Sequence, residues 1–490
     1  MRRRTTIMLL AVLAMLNICG VWGQSYWGQL RGPNGGVATD KKSLPVTFDE
    51  NTNLIWKTAT PHGHSSPCVW GDRIFLTGIA NNELETYCFD RKSGKIVWKR
   101  TAWYEFIERV HRVNSPATPT PTTDGERVYV YLGSSGLLCY DFEGNEVWRR
   151  IIRTPPNMYG TASSPILAGG YLIFLNDNAR QSSLEAIHPE NGETVWKIDR
   201  EGFKASWSTP VVWNNNGVDE VLIYGVWWLK AYDLKDGSER WSLPGLTDEP
   251  VIMPVTGDGL VYLTSYNMKS NPEVIGLPEW KDLVKEYDKD GDGELTHEET
   301  RPNKSILSRF DADGEGDHPL WGFHRFLDVD RSGKITEQEW GKMIDFLNSF
   351  KQENALMAIK PGVEEGEETR VVWSHEKGVP ECPSPLYYDG RIYIVKNGGM
   401  ISCLDSKAGE LKYQGRLGVG GPYYASLITG DGKIFASSRR GVVTVFEVGD
   451  KLKVLARNDL KERIMATPAI VDGKLYVRTE KNLYAFGLKD

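Results

Sequence analysis

Two stretches of this sequence hold oxygen ligands at the spacing a divalent cation needs. DKDGDGELTHEE, from Asp288 to Glu299, places Asp288, Asp290 and Asp292 at positions 1, 3 and 5 of a twelve-residue run and Glu299 at position 12. A hard cation such as calcium takes about six to eight oxygens, and a loop of this length wraps them around one centre. Gly293 falls at position 6, where the chain turns sharply, Glu294 offers its main-chain carbonyl at position 7, and Thr296 acts through water at position 9. Leu295, between the last two, suits a short strand that pairs two such loops. The second stretch, DVDRSGKITEQE, begins forty residues later. There Asp328, Asp330, Ser332 and Glu339 fill the side-chain positions, Gly333 the turn, Lys334 the carbonyl position and Thr336 the water-mediated one. Ser332 lacks a carboxylate, so the second site is expected to bind calcium more weakly than the first.

Two matches in tandem read as a pair of EF-hands, expected to span residues 271–353. WKDLVKEYD before the first loop and EWGKMIDFLNSF after the second carry apolar residues at helical spacing, as flanking helices require. DADGEGDH, starting at Asp311, looks like a third loop, but its twelfth position is Gly322 and Pro319 intrudes, so it reads as degenerate. In an exported protein facing abundant calcium, a structural role for the ions is favoured over switching.

The scaffold around this insertion is repetitive. One module recurs: a Ser/Thr-Pro strand start, a Gly/Asp turn, an apolar strand, an Asp-x-x-x-Gly turn, then Trp. Consecutive copies end at Trp98, Trp148, Trp196 and Trp241. A fifth opens at Met253 and resumes after the insertion to end at Trp373; in the sixth Tyr413 takes the Trp position; two more follow. The last copy stops short of its Trp strand, and NLIWK around Trp56 supplies that strand from the other end of the chain. Each module reads as four short strands, and one blade cannot bury both of its faces, so neighbours must stack radially. The expected fold is all-β: an eight-bladed β-propeller of four-stranded blades, with a small α-helical insertion in blade five. The propeller is expected over 24–270, with its closing strand near 54–58, and over 354–490. The recurring tryptophans read as anchors between blades and the Asp-x-x-x-Gly turns as strand-orienting devices.

These modules resemble the pyrroloquinoline-quinone (PQQ) propeller repeat, shared by quinoprotein alcohol dehydrogenases and by the outer-membrane assembly lipoprotein BamB. WGQLRGPNGGV, NLIWKTATPHGHSSP and NSPATPTPTTDGERVYVYLGSSGLLCYD are similar to a family of exported PQQ-like propellers, and the resemblance covers nearly all of the mature chain. It implies the fold. For activity it implies two alternatives to a non-catalytic binding or scaffold module: a PQQ-dependent dehydrogenase, in which a catalytic Asp acts as base beside a calcium-bound quinone, or a BamB-like assembly factor. The adjacent-cysteine pair often found over the quinone in the alcohol dehydrogenases is missing here, because no two cysteines are neighbours. PQQ is therefore not the expected cofactor; calcium at two sites is.

The remaining signals concern location and partners. Arg2, Arg3 and Arg4, an apolar run from Ile7 to Leu16, and small residues up to Gly23 have the layout of a secretory signal over 1–23, cleaved before Gln24. LNIC ending at Cys19 offers the rival reading of a lipid anchor, the one route to a membrane. The expected location is the periplasm or the cell exterior. Without the three leader arginines, 55 basic residues face 65 acidic ones, a net of −10 that argues against nucleic acid. The expected partner is a protein or a polysaccharide on one propeller face, and the expected state a monomer. Cys68, Cys88, Cys139, Cys382 and Cys403 show no metal-ligand or redox spacing and read as buried apolar residues, with a single disulfide among them left open. His62-Gly-His64 reads as loop histidines rather than a metal pair. His111, Asn114, Arg200, Trp207, Trp227 and Trp228 are candidates to line one mouth of the ring.

Overall fold

A computed structural model describes residues 26–152, 157, 159–267, 275–276, 278–301, 308–309, 320–348, 354–362 and 368–489. The proposed leader and Cys19, and the degenerate loop starting at Asp311, lie outside these residues.

Eight four-stranded antiparallel sheets form the blades. Seven are simple meanders, the first being Cys68–Trp70, Arg73–Ala80, Glu83–Asp90 and Ile96–Thr101. The eighth combines Ala469–Val471, Lys474–Arg478 and Asn482–Gly487 with the N-terminal strand Leu54–Ala59, and Trp56 pairs with Ala485. The ring therefore closes by mixing the two ends of the chain within one blade. The central strands of each blade are almost wholly buried, as in Arg127–Leu132 and Gly136–Asp141, while the outermost strands alternate between exposed and buried residues.

The repeat's Trp and Gly turn out to be one contact. Trp98 donates its indole N–H to the Phe142 carbonyl in the Asp141 turn of the next blade at 2.7 Å. Trp56 reaches Arg91, Trp148 reaches Pro189, Trp196 reaches Leu234 and Trp373 reaches Ser406 in the same way. Each ring lies on the turn glycine of that neighbour: a Cβ on Gly94, Gly144, Gly192, Gly237 or Gly409 would come within 2.5–2.8 Å of it, and all five have left-handed φ. A large apolar ring with one polar edge is thus buried between blades with its donor satisfied. Trp241 departs from the rule and donates to Glu220 Oε2 of its own blade at 2.9 Å.

A second inter-blade device lies at the axis. The Ser66 N–H donates to Thr120 Oγ1 at 2.9 Å, the Thr120 N–H to Ser164 Oγ at 2.9 Å and the Ser164 N–H to Thr209 Oγ1 at 3.0 Å. On the far side Met253 N–H donates to Ser384 Oγ at 2.9 Å, Ser384 N–H to Ser426 Oγ and Ser426 N–H to Thr467 Oγ1, each at 3.0 Å. The Ser or Thr that opens six of the modules therefore supplies a hydroxyl to the blade before it. At Met253 the fifth blade has no hydroxyl to offer.

The segment before the closing strand crosses the bottom of the ring. Trp27 forms a two-way backbone bridge with Val69 of blade one, Gly28 accepts from Thr123 of blade two, and Ala38 and Gly36 bond Thr429 of blade seven. Gly32, at φ 64°, is required here because a Cβ would sit 2.7 Å from the buried Trp27 ring.

Blade five is split between Leu260–Ser265 and Ala355–Lys360, which pair directly, Ser265 opposite Ala355. At the neck the side chain of Asn354 accepts from Asn267 N at 2.5 Å and donates to its carbonyl at 3.1 Å. The chain thus leaves and returns at one point, and blade register is set without help from the residues between. Those residues include helices Trp280–Tyr287, Leu320–Leu327 and Glu337–Asn348 around a separate small core of Leu283, Tyr287, Leu295, Leu327, Ile335 and Trp340.

Candidate functional site

The two acidic loops fold as turns of the same conformation, paired antiparallel. In the first, the amides of Gly291 and Gly293 donate to Asp288 at 2.7 and 2.9 Å, and Asp292 and Glu294 amides donate to Asp290 and Asp292 at 3.1 and 2.8 Å. Glu299 holds the loop's two ends, accepting from Lys289 N at 2.9 Å and from Thr296 N and Oγ1 at 2.8 and 2.7 Å. The second loop repeats this: Gly333 N reaches Asp328, Ser332 N reaches Asp330, and Glu339 accepts from Val329 N and from Thr336 N and Oγ1. Gly293 and Gly333 have φ of 78° and 87°, as a sharp turn at position 6 needs. A two-residue antiparallel ladder, Leu295 with Ile335 and Thr296 with Lys334, joins the loops back to back.

Carboxylate oxygens of Asp288, Asp290 and Asp292 lie within 4.8 Å of one another, as do those of Asp328, Asp330 and Glu339. Either group suits a metal ion. Lys334 intervenes between the loops: its ammonium lies 2.5 Å from Asp292 and 3.0 Å from Glu294 of the first loop. Its neighbouring charge holds the Asp292 carboxyl below the ordinary range, and the backbone amides do the same for Glu299. Both are therefore ionised and ligand-ready at neutral pH.

The second concave feature is a cavity of about 480 Å³ on the propeller axis. All eight positions of the axial ring line it, one from each blade: Ser66, Thr120, Ser164 and Thr209 on one side, and Met253, Ser384, Ser426 and Thr467 on the other. Arg31 and Leu30 of the crossing segment close it below, and a larger cavity of about 870 Å³ lies beyond them. Of the candidates for the mouth, His111, Asn114 and Trp207 do line it, together with His64 and Tyr159. The rings of His111, Tyr159 and Trp207 meet edge to face, with centroids 5.3 and 5.2 Å apart.

Arg200 does not belong to the mouth. It is buried, doubly hydrogen-bonded to Asp177 at 2.8 and 3.1 Å, bonded to Tyr232 and stacked over Phe203. An internal ion pair, satisfied on every side, is structural. Trp227 and Trp228 also lie outside the cavity lining; Trp227 is exposed on a left-handed turn. His62 and His64 lie with ring centroids 5.3 Å apart, beside Arg439 and Arg478. Burial first, then His62 and these arginines, push His64 down to about 3, so its imidazole is neutral at physiological pH. All five described cysteines are free thiols, and four are buried. Cys382 alone is partly exposed, and it borders the cavity.

Nothing in the sequence singles out Arg31. Its guanidinium is buried within the crossing segment, Nη2 donating to the Pro385 carbonyl at 2.6 Å, while Nε and Nη1 have no acceptor. Burial alone pulls it down to about 9. The run RGPNGG signals a tight turn, but nothing in it says that the ring closes over it.

With this geometry in hand, comparison with known proteins is decisive for the fold. The family described as outer membrane protein assembly factor BamB matches residues 41–276. The chain is an eight-bladed β-propeller of four-stranded antiparallel blades, and that match covers just under half of it. BamB from Moraxella catarrhalis superposes with a TM-score of 0.51 at 11% identity, covering 89% of this chain and 98% of its own. A europium-containing methanol dehydrogenase gives 0.53 at 12% identity, with 95% and 98% covered. Quinohemoprotein alcohol dehydrogenase from Comamonas testosteroni gives 0.53 at 11%, with 91% and 79% covered. No curated protein sequence matches the chain. Identities this low establish a shared propeller fold and leave its use to the residues of this chain.

One neighbour is described as europium-containing, which raises the question of whether the axial cavity here suits a metal. Among the described residues, the groups of three or more acidic, His or Cys side chains that could hold a metal lie in the two insertion loops, away from the axial cavity. The cavity is bordered by Arg31, Arg112 and Arg439 as well as Glu249 and Glu381. These residues do not suit a metal.

Proposed function

We propose that the chain is a calcium-stabilised, non-catalytic binding module: a rigid propeller that presents its axial cavity and surrounding loops to a ligand or partner, with a pair of EF-hands projecting from blade five. The observation that carries the calcium reading is the back-to-back pairing of two twelve-residue loops through Leu295 and Ile335, each gathering three carboxylates within 4.8 Å. A lone acidic turn on a protein surface has no reason to form that ladder. In this reading Asp288, Asp290, Asp292 and Glu299 ligate the first ion by side chain, Glu294 by its carbonyl and Thr296 through water. Asp328, Asp330, Ser332 and Glu339, with the Lys334 carbonyl and Thr336, do so for the second. The ions brace the small core of the insertion.

The scaffold reading rests on the rigidity of the ring, whose blades are tied at the axis by hydroxyls and at the rim by tryptophans, and on its gathering of loops from eight blades around one cavity. Export to the periplasm or beyond is part of it; no described helix is long and apolar enough to cross a membrane. The BamB match favours a protein partner as the alternative to a polysaccharide.

Calorimetric titration of the metal-stripped mature protein with calcium tests this. Two binding events are expected, with Glu299→Gln removing one and Glu339→Gln the other. A single event, or none, would refute the paired-site reading.

A further inference from the structure

Arg31 is a buried cation without an anion. It is 1% exposed, two of its three nitrogens have no acceptor, and it forms the floor of the axial cavity. A buried charge normally stands with a counter-charge, because its desolvation otherwise goes uncompensated. Among the described residues no carboxylate forms an ion pair with it.

The rest of the cavity points the same way. Arg112 and Arg439 stand at its mouth, and an adjoining groove adds Arg463 and Arg478. The acidic groups bordering the two are Glu249, Glu381 and Glu480. Five arginines against three glutamates reverse the sign of a chain whose net charge is −7. One wall is aromatic, with the Tyr159 and Trp207 rings set edge to face, and the base is a circle of serine and threonine residues. A volume of about 480 Å³ falls in the range of small-ligand sites.

We propose that the axial cavity binds a carboxylated saccharide, a uronate-type sugar acid: the arginines from mouth to floor, Arg439 and Arg31 among them, give the cavity a positive field that draws in its carboxylate, its ring lies against Tyr159 and Trp207, and its hydroxyls meet the Ser/Thr circle. This deepens the binding-module reading and rests on it, but it is independent of calcium. Positive potential alone would take any anion; an aromatic wall beside hydroxyl-rich polar groups selects a ring that carries both an apolar face and hydroxyls.

The test is calorimetry on the full mature protein with D-glucuronate, with D-glucose as the neutral control, in the calcium-loaded and metal-stripped states. Saturable glucuronate binding is expected, with glucose at least roughly tenfold weaker. Arg31→Met and Arg439→Gln should each weaken glucuronate by roughly tenfold or more without changing glucose. Arg439 is partly exposed at the mouth, so its variant remains informative should Arg31→Met fail to fold. Glucuronate binding equal to glucose, unchanged in Arg439→Gln, or absent would overturn the proposal. Glu299→Gln and Glu339→Gln should leave it intact, which separates its failure from failure of the calcium sites.

Discussion

The main-chain N–H of Ser66 donates to the hydroxyl of Thr120 across the boundary between the first two blades, at 2.9 Å, and both residues are 2% exposed. Replacing Thr120 with Val keeps the shape and removes the acceptor, leaving a buried amide unsatisfied. The expected loss is about 1–3 kcal/mol. Urea unfolding monitored by tryptophan fluorescence would show it as a lower midpoint with an unchanged slope; an unchanged midpoint would mean the hydroxyl circle contributes nothing.

At the rim the corresponding test is Gly192→Ala. Gly192 has φ of 74°, and a Cβ there would lie 2.8 Å from the Trp148 ring. Backbone strain and displacement of the ring together should cost about 1–3 kcal/mol or more. The same substitution at Gly202, also left-handed but with nothing within 4 Å of its Cβ, isolates the backbone part. Thermal melts of the two variants should separate, with Gly192→Ala the less stable.

On the proposed calcium reading, Lys334 acts on both loops: its ammonium competes with the first ion for Asp292, while its carbonyl would serve the second loop. Lys334→Gln keeps that carbonyl and removes the charge, so calcium affinity of the first loop should rise roughly threefold to tenfold. Calorimetry on the Glu339→Gln background reads that site alone.

His64 makes the fold acid-sensitive. Its folded value of about 3 lies below the ordinary 6.5, so between these the unfolded chain takes up a proton that the folded one refuses. This contribution to stability is complete above pH 6.5 and is lost progressively as pH falls towards 3. His64→Gln should therefore flatten the fall in melting temperature on acidification, compared with the parent across the same range. Parallel curves would show that His64 takes up its proton without penalty.

How far the sequence could be read depended on distance along the chain. The blades, the split in blade five and the two loops are local patterns, and the closing strand was legible because the Trp56 strand completes an obvious deficit in the last repeat. Partners set by ring closure were hidden. Arg200 reads as a free cation until Asp177 and Tyr232 surround it, and the Ser/Thr-Pro motif reads as a strand start until each hydroxyl is found capping an amide about 40–55 residues earlier. Arg31 is hidden for the same reason, since its burial is made by blades that come after it.

Because strand Leu54–Ala59 pairs with Asn482–Gly487, the ring can close only once strands from both ends of the propeller are present. Until then a growing polypeptide is an open arc with an unpaired strand at each end, and such edges invite pairing with another chain. Closure consequently depends on keeping the early blades apart from their counterparts in other molecules until the last strand arrives. A chain without Asn482–Gly487 would keep seven complete blades and still lack the clasp that makes them one body.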